Sequence, residues 1–510
     1  MITTLLLLAA ATAAHSASQR LPFLPAVFKH GSSFLNESSA AEALGRFHSI
    51  IGGKVDLNRH KNLLKAITTV KAVKHRLLQR PSAGQADLID QLASRLNNIV
   101  VDRPSVADIN KPIAQYLYGG DVMLSEGDLE KMGAEANLPS VPDGFRTKRG
   151  APVVTSRRWP LTQPIAFIFN SDIDEKTRQV IRTATQKIQA NTCLSFQENG
   201  NVGTQLQFHR GGGCWSYIGN TGAVKQLISI DNGCGIVAIV SHEISHALGV
   251  DHTQNRKDRD SYVSVNYGAV NADIQHNFAK LSDAQNNNFG VPYDYGSVMH
   301  YGANDFSNNG QPVLVTSQAE YLNTMGQRKY EAFNDYKMIN KLYNCSSNCN
   351  NAGLVCQNGG YPSPRQCNVC VCCDFFTGTT CQTPRGTVNI ADSAPFTTTY
   401  HQDYNQPLYA SGNEYNWDMF GKDAVKIIRA PAGRRIRVTL NRVYGGFGQL
   451  PCYLGCPFYG IEIIDNASAD LTTVGKNFCC ASDENKSFVS QTNVVGYKAF
   501  ASPGMPFDAT

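Results

Sequence analysis

Twelve residues, Ser241 to His252, constrain this chain more than any others. They read Ser-His-Glu-Ile-Ser-His-Ala-Leu-Gly-Val-Asp-His and so contain the spacing His-Glu-x-x-His-x-x-Gly-x-x-His. If the segment starts as a helix, His242 and His246 leave one face four residues apart, and both imidazoles reach one point. Glu243 lies beside them. Gly249 takes backbone conformations closed to other residues, so the helix stops there and the returning loop brings His252 round as a third donor. Three imidazoles leave one or two positions of a metal open, the arrangement of a catalytic zinc, with one ion per domain. Two histidines four apart are often just partly buried helix residues. The glycine and third histidine at fixed offsets make that accident improbable.

Length and cysteines bound the rest. A chain of 510 residues is too long for one ordinary core and suggests three or four units. Its 15 cysteines, most in the second half, argue for an oxidising compartment. Leu5 to Leu8 and the alanine-rich stretch after them read as a secretory signal over residues 1–17, cut between Ala13 and Ala17. No later apolar run is long enough to span a bilayer, so a secreted, extracellular protein without a membrane anchor is expected. A formal charge of +5 is mild, and no dense basic run or aromatic-basic module points to nucleic acid.

Residues 18–149 contain no cysteine and show helical apolar spacing around Leu63 to Leu78 and Leu88 to Ile99, which predicts a largely helical segment. Its basic residues from Arg59 to Arg80 fit a solvated helix face better than a binding patch. At its end, Arg146-Thr147-Lys148-Arg149 resembles a furin-type cleavage sequence, and a furin-like protease acting there makes Gly150 the new N-terminus. Arg157-Arg158 is a competing dibasic pair, although it precedes Trp159-Pro160, which looks like the start of a structured domain.

Downstream of the histidines, Ser297-Val298-Met299-His300-Tyr301 resembles the methionine turn of the metzincins, with Met299 beneath the metal. Arg256-Lys257-Asp258-Arg259-Asp260 after the third histidine and Tyr301 after the turn are together similar to the astacin family. So are Cys214-Trp215-Ser216-Tyr217, Asn277-Phe278, Tyr293-Asp294-Tyr295-Gly296, Gly326-Gln327-Arg328 and Ile339-Asn340. The resemblance covers most of residues 150–345. It implies a multidomain protein: an α+β metzincin (astacin-like) catalytic domain with a twisted sheet and a zinc-site helix over residues 150–345, behind a helical prosegment over 18–149. It also implies that Tyr301 binds zinc at rest and stabilises the transition state, while His242, His246 and His252 are ligands and Glu243 is the general base. Tyr118-Gly119-Gly120-Asp121 resembles the motif by which such prosegments set an aspartate on the zinc, which makes Asp121 the zymogen switch; without the family, Gly-Gly-Asp is only a turn. The absence of a cysteine from the prosegment leaves no thiol to serve a rival metzincin switch.

Cys193, Cys214, Cys234 and Cys345 permit three pairings, and the resemblance implies Cys193–Cys345 and Cys214–Cys234. Cys349 to Cys381, with Asn358-Gly359-Gly360-Tyr361 and Phe376-Thr377-Gly378, look like a small disulfide-rich EGF-like module over residues 346–382, its connectivity open. Cys373 is the odd cysteine, or it replaces Cys372. Residues 383–510 alternate apolar and polar positions, as in Ile436 to Leu440 and Gly460 to Ile464, and resemble an all-β CUB-like antiparallel sandwich. Glu462 and Asp465 read there as a solvated strand edge. Asn36, Asn466 and Asn485 stand in glycosylation sequons, and Asn344 does so formally.

One position departs from the family: the residue after the third histidine, normally a glutamate that bridges the mature N-terminal amine, is Thr253. Asp251 also replaces the usual aromatic. N-terminal trimming is therefore expected to tune this protein less than its relatives. Two functions are carried forward. The first is a zinc endopeptidase acting on extracellular protein or peptide substrates, matrix or cuticle proteins among them. The second is a catalytically inactive, peptidase-like binding or adhesion protein.

Overall fold

The computed structural model describes residues 28–29, 37–76, 83–96, 100–101, 105–135, 157–201, 203–281, 286–349, 353–390, 397, 400–402, 425–445, 452, 454–457, 459–501 and 507–509. The expected signal at 1–17, the cleavage sequence Arg146 to Arg149 with Gly150, and Asn36 lie outside the described residues. Among the described residues, no helix is long and apolar enough to cross a membrane.

Three long helices come first: α1 (Glu37–Ile51), α2 (Leu57–Arg76) and α3 (Ala83–Leu96). Their buried residues join cores shared with residues 107–132 and with the domain that follows. On α1, Phe47 and Ile51 are one turn apart and pack with Trp215 and Leu227. On α2, Leu64 and Ile67 meet Ile218, Leu129 and Met132, and on α3 Leu92 joins a core with Val263 and Leu314. The basic face of α2 is paired at several points: Arg59 with Glu126 and Glu130, and Lys65 with Asp273. Next, α4 (Val106–Asn110) is capped by Ser105 and Asp108, a short strand β1 (Val122–Met123) follows, and α5 spans Glu126–Glu135.

The central sheet has six strands in the order β1-β5-β6-β4-β2-β3, where β2 is Ile165–Phe169, β3 Phe196–Glu198, β4 Gln205–His209, β5 Cys214–Tyr217 and β6 Lys225–Ile230. Only β5 runs antiparallel to its neighbour β6; β1 adds parallel to the outer edge of β5, pairing Val122 with Ser216 and Met123 with Tyr217. Behind the sheet lies α6 (Glu175–Asn191), started by Asp174 accepting from Thr177 N–H. Its Val180, Ile181, Ala184 and Ile188 repeat at helical spacing and face the core. Helix α7 (Val237–Ala247) packs on α6 and β5 and is buried from Ala238 to Ala247. A short ladder, β7 (Val263–Val265) with β8 (Leu314–Thr316), supports the second half, which ends in α8 (Phe333–Leu342). The disulfides Cys193–Cys345 and Cys214–Cys234 close this domain in the expected pairs.

Beyond it, Cys349–Cys367, Cys356–Cys370 and Cys372–Cys381 staple a module with two-residue ladders. Cys373, rather than Cys372, is the unbridged cysteine, and burial pushes its thiol up to about 11. The last unit is β-rich, with Cys452–Cys480 and Cys456–Cys479. Its main sheet runs β9-β10-β13-β11-β12, comprising Thr387–Asn389, Val425–Arg429, Val494–Ala501, Tyr459–Ile464 and Lys476–Phe478. Two readings need correction here. The sheet is not wholly antiparallel: β9 lies parallel to β10, and the long stretch between them allows the crossover that a parallel pair requires. Nor are Glu462 and Asp465 a solvated edge. They are 0% and 2% exposed, and pair with Lys498 and Lys476. Strand β11 is buried on both faces, because the preceding domain and a neighbouring strand cover its polar face: Tyr330 donates to Glu462 at 3.2 Å, and Lys498 pairs with the same carboxylate.

Candidate metal centre

Helix α7 delivers His242 and His246 from one face, and Leu248 closes it through its N–H to the Ile244 carbonyl. Gly249 then takes φ +98°, and the chain returns His252 to the same point. The side chains of all three histidines are wholly buried. Backbone carbonyls orient two of them: His242 Nδ1–H donates to Val298 O at 2.8 Å and His246 Nδ1–H to Val250 O at 2.8 Å. With Nδ1–H so engaged, each Nε2 aims inward and is the ring nitrogen a neutral imidazole has left for ligand duty. Asp251 Oδ1 accepts from His252 N–H at 2.6 Å, so this departure from the family fixes the loop that presents His252.

The fourth member arrives from the N-terminal segment. Asp121 Oδ2 lies 3.1 Å from His242 Nε2, and Oδ1 lies 3.4 Å from His246 Nε2 and 3.1 Å from His252 Nε2. The four donor atoms sit within 4.8 Å of one another. Three neutral imidazoles and one carboxylate suit zinc by donor chemistry, and Asp121 Oδ1 has no hydrogen-bond partner among the described residues, so the residues fit the ion. Burial acts to raise the Asp121 carboxyl, yet His252 and His246 hold it well below the usual range. Burial lowers His242 to about 3, whereas His246, also penalised by burial, is raised by the Asp121 charge.

Two glycines thread Asp121 into place. At Gly119 (φ +61°) an added Cβ would stand 2.8 Å from His252 Nδ1, and at Gly120 (φ +85°) 2.4 Å from the Phe306 ring and 2.8 Å from Tyr301 Oη. Asn110, which the sequence reading missed, locks the segment: its Nδ2 donates to Gly120 O at 2.9 Å and Cys214 O at 2.5 Å, and its Oδ1 accepts from Cys214 N–H at 2.8 Å. No local pattern marks this residue.

Glu243 is fully buried and neither of its oxygens has a hydrogen-bond partner among the described residues; burial, and then Asp121, hold its carboxyl well above the ordinary value against the pull of Arg328. Tyr301 has an equally unpartnered hydroxyl, beside Gly120 and with its ring 4.7 Å from that of His252, so in this state Asp121 rather than Tyr301 completes the cluster. Met299 is buried beneath, and its carbonyl accepts from Thr253 N–H at 3.1 Å. His300 is packed away from the cluster, bonded to Tyr293 Oη and Tyr301 O. Thr253 Oγ1 donates to Ser297 Oγ at 2.9 Å, which donates to Asp335 Oδ1 at 2.5 Å. The sequons differ: Asn485 is exposed, while Asn466 is half-buried and donates to Asp470 O.

A helix presenting two imidazoles, a glycine stop, a third imidazole and an unpartnered glutamate beside them define the class of the zinc peptidases. The profile of the Astacin peptidase family matches residues 153–344. The chain is 30% identical over 394 residues to zinc metalloproteinase nas-27 of Caenorhabditis elegans, covering 73% of this chain and 83% of that one. It is 30% identical over 400 residues to nas-28 of the same organism, covering 77% of each. It matches nas-37 at 37% over 324 residues, 63% of this chain but only 40% of that relative's length. Among solved structures, high choriolytic enzyme 1, a hatching enzyme zinc-protease from Oryzias latipes (medaka fish), is 32% identical, covering 37% of this chain and 96% of its own with a TM-score of 0.35. The chain belongs to the astacin family, and with it to the zinc metalloendopeptidases.

Proposed function

We propose that this protein is secreted as a latent zinc endopeptidase and hydrolyses peptide bonds of extracellular proteins once its N-terminal segment is removed. The observation that carries this reading is the Asp121 carboxylate seated on three converging imidazoles, with Glu243 beside them. In it residues 18–149 are the prosegment, cut after Arg149 by a furin-like protease, and 150–345 the catalytic domain. Residues 346–382 and 383–510 are EGF-like and CUB-like modules that position the enzyme on its substrates.

His242, His246 and His252 would hold the zinc, and Asp121 lies against all three of them. Bound zinc supplies Lewis acidity, bringing the pKa of a water down to about 7. Glu243, beside the three imidazoles, would accept the proton of the attacking water and return it to the departing amine. Tyr301, once Gly120 has left its hydroxyl, donates to the carbonyl oxygen as negative charge develops there. Thr253 has no charge to offer an incoming ammonium, so N-terminal trimming tunes activity weakly; an inactive form extended a few residues beyond Gly150 would overturn that point.

The test is to produce the full chain without its signal, cut it after Arg149, and measure zinc content with peptide-library hydrolysis. Glu243→Ala should keep one zinc per chain and lose turnover by about a hundredfold to ten-thousandfold. Zinc without turnover on any peptide would defeat the endopeptidase reading.

A further inference from the structure

The β-rich C-terminal unit reaches the catalytic domain through residues 472–478, and this contact lies directly under the turn that carries Met299. Gly296 is the touching point: an added Cβ there would stand 2.4 Å from the Val474 Cβ, so only glycine admits Val474. Asp294, 2% exposed, ties the two units by hydrogen bonds. Its Oδ1 accepts from Val474 N–H at 3.0 Å and from Gly296 N–H at 3.1 Å. Its Oδ2 accepts from Asn334 Nδ2 at 3.1 Å, and the same Nδ2 donates to Thr472 O at 3.0 Å. Around this clamp, Thr324 Oγ1 donates to Gly475 O at 2.8 Å and Gln327 Nε2 to Gly296 O at 2.6 Å.

From the clamped residues the chain leads straight to the histidines. Ser297 N–H donates to Asp294 O at 3.2 Å, and Val298 N–H to Asp335 Oδ2 at 2.9 Å. The carbonyl of Val298 accepts the 2.8 Å bond from His242 Nδ1–H that fixes this imidazole. The geometry points to Val474 as a positioning residue of the metal site. By wedging against Gly296 and donating to Asp294, the C-terminal unit sets the height of the Val298 carbonyl and so the aim of His242. The unit is thereby part of what makes the metal site, and its removal would cost metal affinity as well as substrate targeting. A partner that orients a ligating histidine is worth about 10–100-fold in metal affinity.

The inference rests on the reading that these histidines hold zinc, and two measurements on the full chain keep the two ideas separable. The first is hydrogen exchange of the segment 293–301 in the metal-free chain; the second is zinc retention against a chelator series. Val474→Gly should speed exchange of the segment at least tenfold and release zinc at about tenfold lower chelator. Val474→Ala, which keeps the Cβ and folds more securely, should show a smaller shift in the same direction. Tyr330→Phe is the control: it deletes the 3.2 Å bond to Glu462 at the same interface, away from the turn, and should leave both readouts at the parental level. Val474 variants indistinguishable from Tyr330→Phe would overturn the positioning role. A parent chain that binds no zinc would overturn the zinc reading instead, and the exchange data would still judge the clamp.

Discussion

Phe47→Ala tests how the N-terminal segment is held. Phe47 is fully buried on α1, its ring edge-on to Trp215 at 5.9 Å and stacked on Tyr116 at 5.6 Å between centroids. Truncating a buried phenylalanine costs about 3–5 kcal/mol. Tyr116 belongs to the N-terminal segment itself, so of the Phe47 cluster only Trp215 and Leu227 lie on the other side of the interface. Counting half the cost at the interface gives about 2 kcal/mol, or about 30-fold weaker association. The assay cuts the full chain after Arg149, dilutes it in steps, and follows peptide hydrolysis as the inhibitory segment dissociates. Activity in Phe47→Ala should appear at about 30-fold higher protein concentration than in the parent. Identical dilution curves would mean that contacts elsewhere in the segment retain it and that the α1 seat is energetically idle.

Asp121→Ala should give an uncut chain with measurable peptidase activity, because the carboxylate over the histidines is gone; a chain as silent as the parent refutes the switch. Removing Cys193–Cys345 should cost more than removing Cys214–Cys234, since the closed loops span 152 and 20 residues, worth about 5 and about 3 kcal/mol of chain entropy. Urea unfolding of the two double serine variants decides it. Burial, with Asp335 beside it, pushes the Asp294 carboxyl up from 3.8 to about 7. Between about pH 4 and 7 the folded chain therefore keeps a proton that the unfolded chain has lost, so stability falls as pH rises through that window, by up to about 4 kcal/mol. Asp335 and Asp305, raised by burial to about 6, slope the same way, so Asp294→Asn, which retains an acceptor for Val474 and Gly296, should make the fall between pH 5 and pH 8 shallower without removing it.

The metal site was legible because its information is local. Covalent spacing on one helix and one glycine turn fixes His242, His246 and His252 wherever the domain sits. Asp121 came from the family resemblance, since Gly-Gly-Asp by itself reads only as a turn; what the two glycines admit, a backbone passing close to His252 and Phe306, is a contact between distant parts of the chain. Glu462 and Asp465 were misread for a related reason. Alternation along β11 says which face is polar, but not that a second domain covers that face and supplies Lys329 and Tyr330 to it. Asn110 escaped for the same reason, since its partner Cys214 is 104 residues away. The choice between Cys372 and Cys373 turned on which thiol faces Cys381, and adjacent residues of a short loop do not reveal that.

Strand β5 is an outer edge of the catalytic sheet that another part of the chain now covers. Cys214 spends its N–H and carbonyl on Asn110, and Ser216 N–H donates to Asp121 O at 3.0 Å. If the N-terminal segment is removed as proposed, these main-chain groups would lose every one of those partners together, leaving a bare edge beside an apolar hollow vacated by Phe47. Such an edge is satisfied by any extended chain laid along it, which suits the capture of unfolded stretches of protein. It is equally ready to join the edge of a second copy, so production of residues 150–510 alone should yield self-associating material, whereas the same residues co-produced with 18–149 should stay dispersed.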